Sequence, residues 1–117
     1  MDTLPVKKFY RVCNAQTTQG LWYDEKGTHT GLIHNKFNFC FNKDLAMEFD
    51  PEIVGFLSVA DSLQGLLKWF PEEDILKLQK HDYFLVQYLS TDYKFYERFQ
   101  HYIINKDTST LHNIIVL

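Results

Sequence analysis

Polar side chains that could act together on a nucleotide are widely separated along this chain. Arg11 lies in an apolar segment near the start of the chain, and Ser58 ends a short apolar segment in its middle. Glu97 and His101 both lie near an apolar segment towards the end of the chain. An arginine can hold a phosphate, a hydroxyl can orient a ribose, and a late carboxylate can offset positive charge that develops in a transition state. Such residues must come from different strands around one cleft, so wide spacing along the chain is expected.

An aromatic pair could form one wall of such a cleft. Trp22 and Tyr23 precede a turn at residues 24–27, where Gly27 suits a positive φ. Residues 28–33 could then return as a second strand. Two interpretations stay open: a surface hairpin, or a loop whose Trp22 and Tyr23 line a pocket.

Other catalytic patterns are missing from the sequence. The five histidines are scattered without His-x-x-x-His spacing or a cysteine within two residues, so no metal site is predicted. The glycines form no phosphate-binding loop. Cys13 and His101 would pair as nucleophile and base only if folding brought them together, and a structural thiol is the commoner role. The acidic residues 72–74 suit a helix N-terminus.

The elements that must position these residues can be predicted from periodicity. Strands are predicted at residues 9–13, 55–58, 83–89 and 99–104. The segment from residue 92 to residue 105 also fits a helical face, but its β-branched and aromatic residues favour a strand for its second half. The spacing of Asp61 and Gln64 predicts a helix that starts near Ser62, and Pro71 opens a second helix. The side chains expected to pack on the sheet are Leu63, Leu67, Phe70, Ile75 and Leu78, with Trp69 partly exposed.

Three of these segments, in this order, resemble motifs of the ADP-ribosyltransferase superfamily. Residues 10–12, Tyr-Arg-Val, look like the opening Tyr-Arg strand of its toxins and NADases. Residues 56–62, Phe-Leu-Ser-Val-Ala-Asp-Ser, are similar to its strand-borne serine motif before a helix. Residues 99–104, Phe-Gln-His-Tyr-Ile-Ile, look like the poly-ADP-ribose polymerase strand that reads Tyr-Asn-Glu-Tyr-Ile-Val.

The resemblance implies an α+β fold with a bent, split antiparallel or mixed sheet and two consecutive helices. It also implies NAD as the cofactor and Glu97 or His101 as the catalytic group. His101 stands where the family has glutamate, and imidazole does not supply a fixed negative charge, so ADP-ribosyltransferase or NAD glycohydrolase activity stays open. The resemblance assigns Arg11 and Ser58 to cofactor binding. Trp22 and Tyr23 are expected to bind the cofactor too if their loop forms the aromatic wall of the same site.

Composition limits the remaining possibilities. The 117 residues predict one domain, with residues 1–7 as a flexible lead. The net charge of −3 and the lack of a lysine–arginine cluster argue against nucleic-acid binding. The two cysteines lack the spacing of a disulfide scaffold. No apolar run approaches the ~20 residues of a membrane helix, and no leader is recognised, so the expected location is the cytoplasm.

A second functional hypothesis follows from the aromatic content of 16%. Small size, an acidic balance and abundant aromatic residues suit a non-enzymatic inhibitor or adaptor, of the kind that phages and mobile elements encode. Its partner would be a protein, whereas the first hypothesis requires a nucleotide. The two differ in whether Arg11, Ser58 and either Glu97 or His101 meet at one cleft.

Overall fold

The computed structural model describes residues 5–14, 22–23, 29–31, 52, 55–98, 100–105 and 107–115. This part of the chain is α+β and has two α-helices, α1 (Leu63–Trp69) and α2 (Glu72–Leu78), the second followed by a 3-10 turn at Gln79–His81. Its strands are β1 (Lys7–Asn14), β2 (Trp22–Tyr23), β3 (His29–Gly31), β4 (Phe56–Val59), β5 (Tyr83–Ser90), β6 (Tyr93–Tyr96), β7 (His101–Asn105) and β8 (Thr110–Ile115).

Two three-stranded antiparallel sheets carry most of the described strands. In the first, β5 lies between β1 and β8, and its register with β1 runs from Lys7 opposite Ser90 to Asn14 opposite Tyr83. In the second, β7 lies between β4 and β6. Strands β2 and β3 form a separate hairpin. All these pairings are antiparallel, and no parallel pair occurs in the described chain.

One backbone bridge connects the two sheets. The amide of Tyr10 donates to the carbonyl of Ala60 at 2.8 Å, and the amide of Ala60 donates back to Tyr10 at 2.9 Å. Tyr10 belongs to β1, and Ala60 directly follows β4. The bridge therefore brings the first predicted strand against the serine-bearing strand.

The helices begin and end where local chemistry dictates. The Ser62 side chain accepts a hydrogen bond from the Gly65 amide at 3.0 Å, so the cap of α1 is Ser62 and not Asp61. Pro71 precedes α2, whose first turn contains the acidic residues 72–74 that suit the positive end of the helix dipole.

The packing of α1 differs in one position from the sequence prediction. Phe70, Ile75 and Leu78 are fully buried and Leu67 packs at the edge of the same core, as predicted. Leu63 is 39% exposed, whereas Leu66, on the same apolar face as Phe70, is buried. A helix as short as α1 turns only a narrow stripe inward, and Leu63 at its first position lies outside that stripe.

The two faces of β1 border different apolar clusters. Val12 packs with the helices, in a cluster that includes Leu66 and Phe70. Phe9 and Cys13 pack on the opposite face, with Val86 among their neighbours. Such alternation is what a strand buried on both faces requires.

All four predicted strands are present, with ends shifted by at most two residues. The start of β7 moves two residues, to His101, because Gln100 has a positive φ of 57°. The Gln100 amide donates to the carbonyl of Tyr96 at 2.9 Å, which closes the turn between β6 and β7. Phe99 and residues 1–4 of the expected lead lie outside the described residues. Among the described helices, none is long and apolar enough to cross a membrane.

Phe70→Ala tests the assigned packing. Phe70 has no exposed surface, so its truncation leaves a cavity and is expected to lower the free energy of unfolding by about 3–5 kcal/mol. Leu63→Ala is the matched control on the same helix. Because Leu63 lies at the surface, this substitution should change the free energy of unfolding by no more than about 0.5 kcal/mol. Urea titrations compare the two variants. Equal losses would mean that the helix faces the other way.

Candidate functional site

A hydrogen bond between buried side chains joins the two sheet residues that the sequence singled out. His101 Nε2 lies 3.0 Å from Ser58 Oγ. Pairing of β4 with β7 creates this contact, because Ser58 lies opposite Ile103, two residues from His101. The two side chains are 5% and 2% exposed, respectively. A pair this deeply buried is held in one orientation.

Arg11 reaches the same serine from the first sheet. Its Nη1 donates to the backbone carbonyl of Ser58 at 3.0 Å, and the residue is 1% exposed. Ser58 therefore contacts Arg11 through its carbonyl and His101 through its hydroxyl. These three residues are called the polar cluster below. Since a guanidinium does not lose its proton in proteins, the cluster contains a permanent positive charge.

The charge of Arg11 also acts on its neighbour Cys13. Burial raises the pKa of the Cys13 thiol above its ordinary value of 9.0, while the positive charge of Arg11 and a hydrogen bond from it act in the opposite direction. Burial wins, so the thiol is protonated at neutral pH. A protonated, buried thiol is a poor nucleophile, which removes Cys13 as a catalytic candidate.

Next to the polar cluster lies an open cavity of about 340 Å³. His101 lines it, whereas Arg11 and Ser58 line a separate space behind it that has no room for a water molecule. The cluster thus presents one member, the imidazole, to the cavity. Its aromatic lining comes from Trp69, Phe95 and Tyr102.

The aromatic walls are fixed by contacts with one another and with the imidazole. The ring of Trp69 meets that of His101 edge-on, at 5.6 Å between centroids and an interplanar angle of 89°. Phe95 meets Tyr102 at 5.3 Å and 76°. These rings come from α1, β6 and β7, so the second sheet and the first helix together build the cavity.

Charged and amide side chains complete the lining. Lys68 on α1 carries an ammonium group, Asp61 carries a carboxylate, and Gln100 contributes an amide. Lys7 Nζ lies 3.7 Å from Asp61 Oδ2 and 4.5 Å from the centroid of the Tyr102 ring. The edge of the cavity near Asp61 therefore contains a cation as well as an anion.

The predicted site residues divide into three groups. Arg11, Ser58 and His101 meet, although Arg11 is enclosed and does not project into an open concave site as expected. Glu97 lies exposed in the turn between β6 and β7 and is not among the cavity-lining residues, because its strand ends at Tyr96. The backbone of Trp22 and Tyr23 pairs with β3, and their side chains lie outside the described residues.

Sequence reasoning missed most of the cavity lining. Trp69 was expected to be partly exposed beside the core residue Phe70, and it is. Nothing in the residues around Trp69 indicates that its ring faces His101, because that contact depends on how α1 crosses β7. Lys68 and Phe95 belong to no motif, and Tyr102 lies in the motif of residues 99–104 without an expected role in the site.

Comparison with known proteins identifies no relative of this chain. No protein-family model matches the chain, no curated protein matches it, and no solved structure matches it. Within the described ranges, no group of three or more histidine, cysteine, aspartate or glutamate residues is arranged to hold a metal ion. The site is therefore interpreted from its own geometry.

Arg11→Ala tests the structural role of the polar cluster. The substitution removes a buried side chain and leaves the carbonyl of Ser58 without the guanidinium donor, so we expect a loss of about 3 kcal/mol in the free energy of unfolding. Lys8→Ala is the matched control, since Lys8 is an exposed cation on the same strand. Denaturant titration of both variants gives the comparison. A fully stable Arg11→Ala protein would contradict the assigned burial.

The raised pKa of Cys13 predicts a dependence of stability on pH. The folded pKa lies above the unfolded one, so the contribution of Cys13 is complete below pH 9.0 and is lost as the pH rises through the raised value. In a Cys40→Ser background, the stability advantage of Cys13 over Cys13→Ala should therefore be constant below the ordinary value of 9.0 and decrease as the pH rises above it. A difference that stays constant above pH 9.0 would contradict the burial of this thiol.

Proposed function

We propose that the protein is a small ADP-ribosyltransferase-like domain that binds NAD or a related nucleotide without transferring ADP-ribose. The observation that carries this proposal is the meeting of Arg11, Ser58 and His101 beside an open, aromatic cavity. Arg11 lies 47 positions and His101 43 positions from Ser58 along the chain, so the fold is what brings them into contact.

The arrangement of strands supports the resemblance. The family's site residues lie on three strands around one cleft, which requires the strands of Arg11, Ser58 and His101 to be neighbours. Here β1 is bridged to the end of β4, and β4 pairs with β7. The split into two sheets and the two consecutive helices also agree with the fold that the resemblance implies.

Loss of transfer activity follows from the chemistry of position 101. Departure of nicotinamide leaves positive charge on the ribose, and a carboxylate would stabilise that charge. His101 is neutral or positive and has its Nε2 hydrogen-bonded to Ser58. Glu97, the other carboxylate considered, is exposed in a turn outside the cavity lining. The site is therefore suited to holding a nucleotide and not to breaking its glycosidic bond.

A protein-binding adaptor is the second candidate, and β8 favours it. Every residue from 110 to 114 is exposed, and Leu111 and Ile114 are 42% and 45% exposed. Within the described residues, β8 pairs only with β5, so its other edge could add a strand from a partner. This candidate takes over if the nucleotide test below fails.

Calorimetric titration with NAD and ADP-ribose tests nucleotide binding. Phe95→Ala is expected to weaken binding by about 1–3 kcal/mol, the range for removal of a stacking aromatic ring. Phe95 is 45% exposed, so the fold should tolerate the change. Leu76→Ala is the matched control, because Leu76 is 41% exposed and does not line the cavity. Absence of binding at millimolar ligand refutes the proposal.

Release of nicotinamide from NAD tests the absence of transfer. Wild type at micromolar concentration is expected to release no more nicotinamide than buffer, since His101 supplies no fixed negative charge beside the ribose. Chromatographic separation of NAD, ADP-ribose and nicotinamide provides the measurement. Release that exceeds the buffer rate and is lost in Phe95→Ala would show an active enzyme and contradict this part of the proposal.

A further inference from the structure

We propose that the cavity holds a single phosphorylated nucleoside unit and that Lys68, not Arg11, anchors its phosphate. This inference rests on the proposed function, because it names the part of a nucleotide that the same site recognises. It follows from three properties of the site: the enclosure of Arg11, the size of the cavity and the charges around it.

Arg11 is in the wrong place to contact a ligand. It is 1% exposed, its Nη1 donates to the Ser58 carbonyl, and the space around it does not admit a water molecule. An anion that reached Arg11 would have to displace this hydrogen bond and open the packing of Leu66 and Phe70. A phosphate in the cavity must therefore be held by another cation.

The size of the cavity favours a small ligand. Its volume of about 340 Å³ lies near the lower end of the roughly 300–1,000 Å³ that is usual for small-molecule sites. A dinucleotide has two nucleoside units and two phosphates, so only one unit of it would be enclosed. The aromatic rings of Trp69 and Tyr102 suit the flat base of that unit.

The charges at the cavity favour an anion. Among the described residues that line the cavity, Lys68 carries an ammonium group. The carboxylate of Asp61, which would repel a phosphate, is partly neutralised by Lys7 at 3.7 Å. The charged side chains described at the cavity are therefore two cations and one anion, and the polar cluster behind it adds the positive charge of Arg11. A phosphate on the ligand is attracted by this balance.

Calorimetric titrations with matched probes test the inference. Adenosine monophosphate and nicotinamide mononucleotide are compared with adenosine, nicotinamide riboside and NAD. We expect at least one mononucleotide to bind about as tightly as NAD and about tenfold or more tighter than its own nucleoside, the effect of one hydrogen bond to a charged group. Lys68→Gln should reduce this ratio to near one.

Lys80→Gln is the control variant, since it makes the same change of charge at an exposed position outside the cavity. It should retain the ratio of wild type. The inference is overturned if NAD binds and neither mononucleotide does, or if Lys68→Gln keeps the preference for phosphate. Either result leaves the proposed function standing. If no probe binds, including NAD, the proposed function fails and this inference fails with it.

Discussion

Two backbone hydrogen bonds between Tyr10 and Ala60 determine how the rest of the domain is arranged. They join a sheet built on β5 to a sheet built on β7, and no other strand bridge between these sheets occurs in the described chain. Because the bridge fixes β1 against the end of β4, the next residue of β1, Arg11, lies within reach of the Ser58 carbonyl. Pairing of β4 with β7 then brings His101 to the same serine. The two hydrogen bonds between Tyr10 and Ala60 thus help to bring together the three residues of the polar cluster, which lie far apart in the sequence.

The buried guanidinium explains why the open cavity lies where it does. Removing a charge from water is costly unless hydrogen bonds replace the lost hydration. Arg11 has the Ser58 carbonyl as one such partner, and tight packing of Leu66 and Phe70 closes the space around it. The open cavity lies on the other side of His101, where α1 and the second sheet supply its walls. The chemistry accessible to a ligand is therefore that of the imidazole, the aromatic rings, Lys68, the Asp61 carboxylate and the Gln100 amide.

Sequence patterns predicted the strands well and the cavity poorly, for physical reasons. Alternation along β1 and β5 reflects burial on two faces, which is a local property, and the predicted ends differ from the observed ones by no more than two residues. Leu63 was assigned to the core because helical spacing alone does not show which leucine of a short helix faces inward. Arg11 was expected in an open cleft, since nothing in the residues around it indicates that its partner is a backbone carbonyl 47 positions away. Glu97 was placed near the ligand because the turn at Gln100, with its positive φ, had no glycine to mark it.

Ser58 makes the site tolerant of change at position 101. A hydroxyl both donates and accepts, and its proton rotates to suit the partner. The same Ser58 Oγ that now pairs with an imidazole can donate to a carboxylate as well. The carbonyl of Ser58 is engaged by Arg11 and does not take part in this exchange. A change of the side chain at position 101 therefore alters one hydrogen bond of the polar cluster and leaves the contact that joins the two sheets in place.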